Sequence, residues 1–112
     1  MIDRDKEYKK AFNMIKKWSK HWLTPSASRR YNAADTLKDP AKKTLEFITN
    51  LDHSTSFEDK VHLLCGFLKE MNKEDERLRI YSGFYRDNLS YLNKAIDTIQ
   101  RGEPIEIYNI YR

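Results

Sequence analysis

Apolar side chains recur at helical spacing along this chain, and this periodicity constrains the fold more than any other feature. In the first segment they share one face, at Tyr8, Ala11, Phe12, Ile15, Trp18 and Trp22. The opposite face carries Lys9, Lys10, Lys16, Lys17 and Lys20. Only three glycines and three prolines interrupt the 112 residues, and this scarcity also favours helices. The sequence therefore predicts an all-α protein.

Boundary signals divide the rest of the first half into two short predicted helices. One runs from Ser28 to Lys38. Asp39 and Pro40 then mark a break and a restart, because proline is favoured at the first position of a new helix. The restarted helix is expected to continue to about Asn50, where a loop follows.

Two longer helices are predicted in the second half of the chain. Thr55 and Glu58 form a capping-box pattern. The helix that they open is apolar over a wide arc, so we expect it to lie at the centre of the protein. Residues 72–76 predict a turn and an acidic helix start. The last helix then runs to Arg101, and Gly102 suits a C-terminal cap.

Chain length and the C-terminal sequence complete the predicted architecture. A chain of 112 residues suggests one domain, 1–112. Its tail, residues 103–112, is too apolar to stay free and has enough β-branched residues to be extended. We therefore predict a bundle of four to five helices with an extended C-terminal tail packed on it.

The sequence predicts neither a membrane span nor a secretory leader. It contains no run of about 18 apolar residues, and its charges begin at the third residue. Cys65 is the only cysteine, so an internal disulfide cannot form, and this fits a reducing compartment. These features together predict a cytoplasmic protein.

An unusual concentration of aromatic residues lies between Arg79 and Leu92. If the last helix continues through Gly83, then Ile80, Phe84 and Tyr91 form a second line about 115° from the centre of its main apolar stripe. One neighbouring helix cannot cover both lines. Either the tail or another helix covers the second line, or the line is a partner-binding surface.

The partner-binding alternative includes two arginines close to the second line, Arg77 and Arg79. Tyrosine and arginine are enriched at the energetic centres of protein interfaces. The predicted partner-binding residues are therefore Arg77, Arg79, Ile80, Phe84 and Tyr91.

Residue patterns for catalysis or metal binding are weak. His62 and Cys65 share a helix face and His53 precedes them, but a structural zinc site needs four ligands with paired short spacings. Cys65 lies among leucines and phenylalanine, whereas a reactive cysteine needs an electropositive, partly open setting. Neither a P-loop nor a G-x-S-x-G motif occurs. We therefore expect no enzyme activity, catalytic residue, cofactor or metal.

The lysine face of the first helix is the strongest charge feature of the chain. With Arg29 and Arg30 it could bind phosphate groups, but no motif that reads DNA or RNA is present. Nucleic-acid binding is therefore the alternative function. It would weaken steeply with salt, whereas a tyrosine-centred protein interface would not.

Three segments together resemble small helical modules of Dot/Icm type IV secretion effectors and their regulators. They are "RYNAADTLKDPAKKTLEFITN", "SFEDKVHLLCGFLKEMN" and "RLRIYSGFYRDNLSYLNKAI". The resemblance lies in the order and style of the helices and covers about two-thirds of the chain. It implies a bacterial protein that acts in the host cytoplasm by binding another protein. Some members of that repertoire inhibit a companion effector enzyme.

The residues and the resemblance lead to one expectation for function. We expect a non-enzymatic protein-binding module that regulates or inhibits a larger effector protein. A second copy of the chain is an additional candidate partner.

Replacement of Cys65 by alanine tests the assignment of this cysteine as structural. We expect Cys65→Ala to keep partner binding while lowering the free energy of unfolding by about 1–2 kcal/mol, because buried atoms are removed. Chemical denaturation and a binding assay measure the two effects. A folded Cys65→Ala protein that has lost binding would contradict the assignment.

Overall fold

The computed structural model describes residues 2–25, 34–80 and 82–106, and every regular element in these ranges is helical. The helices are α1 (Arg4–Trp22), α2 (Ala34–Thr49), α3 (Phe57–Leu78) and α4 (Phe84–Gln100). The prediction of an all-α fold is therefore confirmed. The four helices of the described residues agree roughly with the predicted bundle of four to five. The start of the predicted helix Ser28–Lys38 lies outside the described residues.

Helix α1 packs against each of the other three helices. Its inner face is completely buried at four positions: Tyr8, Ala11, Ile15 and Ser19. The Ser19 hydroxyl donates to the carbonyl of Ile15 at 2.8 Å, so a polar residue is accommodated there. Helix α3 likewise packs against all three other helices, so its central position stays a prediction. Leu63 on α3 is 51% exposed, so part of its wide apolar arc faces solvent.

Helix α2 runs without a break through Pro40, so the predicted restart at that proline was wrong. An interior proline removes one backbone hydrogen bond and costs about 3 kcal/mol. Burial of Ala41 and Ile48 on the inner face of α2 opposes this cost. The Thr44 hydroxyl also donates to the carbonyl of Pro40 at 2.8 Å. Because of this packing, α2 contains both the end of the predicted helix Ser28–Lys38 and the helix that was predicted to start at Pro40.

Helix α3 begins one residue later than the capping-box pattern predicted. Ser56 is the N-cap, and its hydroxyl accepts from the backbone N–H of Asp59 at 3.2 Å. Thr55 instead donates its N–H to the carbonyl of Asp52, which places it in the preceding turn. Asp5 of α1 accepts the N–H of Phe57 at 3.1 Å. A carboxylate of α1 thus caps the first turn of α3.

The predicted turn at residues 72–76 is also absent, because α3 continues to Leu78. This segment contains neither glycine nor proline. Its charges pair along the helix instead, between Lys73 and Glu70 and between Arg77 and Glu74. Pairs at this spacing favour helix by a few tenths of a kcal/mol each.

The tail returns to the bundle at Ile105, as the sequence predicted for the start of this segment. Gly102 has a φ of 79°, which turns the chain after α4. Ile105 is buried with the core, and its N–H donates to Glu7 Oε2 at 3.1 Å. The same carboxylate accepts from Lys10 at 2.9 Å. Residues 107–112 lie outside the described range.

None of the helices that the structure describes is long and apolar enough to cross a membrane.

Replacement of Glu7 by glutamine tests the bond between the tail and α1. Burial alone would raise the pKa of Glu7, but bonds from Lys10 and the Ile105 N–H outweigh it and lower the pKa below its usual range. A lowered folded pKa contributes stability above the unfolded pKa, and this stability is lost as the pH falls through the folded value. We expect Glu7→Gln to be about 1 kcal/mol less stable than wild type at neutral pH. This difference should shrink in acid.

Urea denaturation from about pH 6 to pH 3 measures this difference. Glu46→Gln on the exposed side of α2 is the matched control, and we expect it to have little effect on stability. A Glu7→Gln protein as stable as wild type at neutral pH would show that the carboxylate does not hold the tail.

Candidate functional site

The connection between α3 and α4 separates residues that the sequence placed on one helix. The second line depended on a last helix that continues through Gly83, and this condition is not met, because Gly83 is the N-cap and α4 begins at Phe84. Arg79 has a φ of 58° and Gly83 a φ of 75°, and both values end helical geometry. Ile80 therefore does not share a line with Phe84 and Tyr91. We call Arg77–Ile80, Ser82, Gly83 and Arg86 the hairpin end; Tyr81 lies outside the described residues.

A Schellman motif closes α3 and leaves Ile80 without its usual apolar neighbour. The Ile80 N–H donates to the carbonyl of Asp75 at 2.9 Å, and the Arg79 N–H donates to that of Glu76 at 3.2 Å. In this motif the residue after the left-handed position usually packs on an apolar side chain of the last turn. Glu74 and Asp75 occupy those positions here. Ile80 is accordingly 50% exposed.

The structure brings together three of the five predicted partner-binding residues. Arg77, Arg79 and Ile80 are exposed at the hairpin end, next to Leu78, which is 50% exposed. Arg77 bonds to Glu74, whereas Arg79 makes no ion pair with any described residue. Sequence reasoning did not place Leu78 among the partner-binding residues. The sequence gives little sign of the helix end at Leu78, because the left-handed residue that follows it is Arg79 and not the usual glycine.

Phe84 and Tyr91 do not join the hairpin-end surface. Phe84 is only 3% exposed, and its ring packs edge-on against Tyr85 with centroids 5.7 Å apart. Tyr91 is half-buried and lines a cavity of about 260 Å³ with Ile105 and Ala95. Phe84 therefore belongs to the core, and Tyr91 lies near the returning tail. Both positions agree with the alternative in which other parts of the protein cover these aromatics.

A second cavity of about 260 Å³ lies beside Ile80. Asp75 and Glu76 line it from α3, and Ser82 and Arg86 line it from the other side. Burial raises the pKa of Asp75, and the nearby Asp39 and Glu74 carboxylates add to the rise, although a bond from Ser82 opposes it. The hairpin end thus presents two exposed aliphatic side chains beside groups of both charge signs. Such a surface can bind the mixed surface of another protein.

Cys65 and His62 are the described residues of α3 that the sequence raised as candidates for chemistry. Burial raises the pKa of the half-buried Cys65 thiol to about 11, so the thiol stays protonated at neutral pH. His62 packs against the ring of Tyr8, with centroids 6.1 Å apart. No cluster of three His, Cys, Asp or Glu residues that could hold a metal occurs among these residues.

The predicted basic face of α1 gains two residues from α3. Lys9, Lys17 and Lys20 are exposed, while Lys10 and Lys16 are half-buried. The ammonium group of Lys9 lies 5.7 Å from the centroid of the Phe57 ring, and that of Lys60 lies 4.7 Å from it. Sequence reasoning missed both α3 residues, because only the crossing of α3 over α1 brings them to this face. Arg29 and Arg30 lie outside the described residues.

No protein-family model, curated protein or solved structure matches this chain. The resemblance to Dot/Icm modules therefore stays a prediction, and a proposal for function depends on the residues themselves.

Replacement of Arg79 by glycine tests whether the hairpin end stores backbone strain. The left-handed conformation costs a non-glycine residue about 1–2 kcal/mol. We therefore expect Arg79→Gly to raise the free energy of unfolding by about 1 kcal/mol. The control, Arg77→Gly, lies within α3 and should lower it by a similar amount. Urea denaturation measures both effects, and an Arg79→Gly protein less stable than wild type would exclude stored strain.

Proposed function

We propose that this protein is a non-enzymatic protein-binding module that docks on a larger protein through its hairpin end. The observation that carries the proposal is the exposure of Leu78 and Ile80, each 50% exposed, beside the left-handed residue Arg79. Exposed aliphatic side chains that occur singly need no explanation. Here two occur within three residues, where the chain is strained and no other described element covers them.

The identity of the residue at position 79 adds to the proposal. Glycine is strongly preferred at the left-handed position that ends a helix. Arginine at this position is strained, and its guanidinium makes no ion pair with a described residue. Strained residues concentrate at binding and catalytic sites, where the side chain is needed despite its cost. Arginine is also one of the residues enriched at the energetic centres of protein interfaces.

A regulatory or inhibitory role follows from the resemblance rather than from the geometry. A small module without a catalytic cluster in its described part can affect an enzyme by occupying its surface. The resemblance to effector regulators makes a companion effector in the host cytoplasm the first candidate partner.

A quantitative pull-down from the native cell tests the hairpin end directly. The test variant combines Leu78→Ser with Ile80→Ser, and the control is Leu63→Ser, which replaces an equally exposed leucine nearer the start of α3. We expect the double variant to lose a protein that wild type and the control both capture, as measured by mass spectrometry. Thermal unfolding should change little in either variant, because substitutions at exposed positions usually alter stability by about 0.5 kcal/mol or less.

Two results would contradict the proposal. One is a folded double variant that captures the same proteins as wild type. The other is an equal loss of captured protein in the double variant and the Leu63→Ser control. Self-association that the double variant abolishes, measured by sedimentation, would instead identify a second copy of the chain as the partner.

A further inference from the structure

A composite basic surface lies where α1 crosses the start of α3, at a place separate from the hairpin end. Its α1 part is a row of lysines, and Lys60 of α3 extends it. On α1 the lysines span about 120° around the helix and about 21 Å along its axis. Apolar residues are absent from this arc, which otherwise contains only Asn13. We call this the lysine surface.

Most of these lysines make no ion pair within the described part of the chain. Lys10 pairs with Glu7. By contrast, five lysines of α1 make no ion pair with any described residue: Lys6, Lys9, Lys16, Lys17 and Lys20. Like charges held on one side of a helix repel one another. Their repulsion decreases when an anionic ligand binds across them.

Two of the ammonium groups lie close to the ring of Phe57. Lys9 approaches its ring from α1 and Lys60 approaches it from α3, at 5.7 and 4.7 Å from the centroid. The ring is fixed in turn by edge-on packing against Phe12, at 5.8 Å between centroids. Asp5 of α1 also bonds to the Phe57 N–H, which fixes the start of α3 against α1. The lysine pair is therefore held in place before a ligand arrives.

The composition of the surface decides which class of polyanion it fits. The centres of protein interfaces are depleted of lysine and enriched in aromatic residues. An amphipathic helix on an anionic membrane needs apolar side chains to insert, and this arc has none. The phosphate backbone of nucleic acid needs only a row of cations. We infer that the lysine surface binds the phosphate backbone of double-stranded nucleic acid without reading its sequence, with Lys9 and Lys60 beside Phe57 as its fixed contact.

Fluorescence anisotropy with labelled DNA duplexes of about 20 base pairs tests the inference. We expect two unrelated duplexes to bind wild-type protein with affinities within about twofold, because phosphate contacts carry no sequence information. If about four phosphates are neutralised, binding should weaken about a hundredfold as salt rises from about 50 to 200 mM.

Two matched double variants test whether the lysines beside Phe57 contribute more to duplex binding than the loss of two positive charges elsewhere on the protein. Lys9→Gln with Lys60→Gln should reduce the slope of log affinity against log salt by about 2, and weaken binding tenfold or more at low salt. Lys42→Gln with Lys69→Gln removes the same charge from exposed lysines of α2 and α3 that make no ion pair with a described residue. It should weaken binding by no more than about twofold.

Replacement of Phe57 by leucine tests whether the ring positions the two lysines. Both charges remain in Phe57→Leu, so the salt slope should stay unchanged while the affinity falls severalfold. Thermal unfolding confirms that the variant remains folded at the assay temperature. An affinity equal to that of wild type would show that the ring does not position the contact.

Four further results would overturn the inference. They are an absence of duplex binding at low salt, an equal loss in the two double variants, displacement of the duplex by poly-glutamate at matched charge, and tighter binding to anionic vesicles than to the duplex. Displacement by poly-glutamate would assign the surface to an acidic protein, and tighter vesicle binding would assign it to a membrane.

Discussion

Burial of the inner face of α1 is the constraint on which the rest of the structure depends. Tyr8, Ala11 and Ile15 are fully buried, and α2, α3 and α4 all pack against this helix. Complete burial of one large aliphatic side chain contributes about 1.5–3 kcal/mol. Helix α1 therefore supplies the surface against which the other three helices acquire a common core.

Two carboxylates of α1 also accept hydrogen bonds from other segments of the chain. Asp5 accepts the first free N–H of α3, and Glu7 accepts the N–H of Ile105 in the tail. Each bond joins segments that are far apart in the sequence, and each satisfies a backbone donor that would otherwise need another partner. The first turns of α1 thus fix where α3 begins and where the tail returns.

The two proposed binding surfaces lie near opposite ends of α3. Lys60 is in its first turn and Leu78 is its last residue, so they are about 27 Å apart along the helix axis. The lysine surface has charge without exposed apolar residues, whereas the hairpin end has exposed aliphatic residues beside charges of both signs. Their chemistry and separation allow both surfaces to be occupied at the same time.

The all-α fold and the buried faces of the helices could be predicted from the sequence, because the spacing of apolar residues is a local property of the chain. Tyr8, Ala11 and Ile15 were placed on one apolar face from their spacing, and all three are fully buried. Helix ends were less predictable, because one local signal can be outweighed by packing elsewhere. Pro40 predicted a restart that α2 does not make, and the acidic segment 72–76 contains no residue that would end α3.

The sequence by itself determined an all-helical fold, the α1 lysine face, the inner stripes and the return of the tail, because each depends on residue type and local spacing. Tertiary structure alone decided that Ile80 is exposed and Phe84 is buried, since the left-handed residues Arg79 and Gly83 break the helix that would have aligned them. It also brought Lys60 to the lysines of α1, although Lys60 is 51 residues from Lys9 in the chain. A contact between segments so far apart depends on how the helices cross, and local spacing contains no information about that crossing.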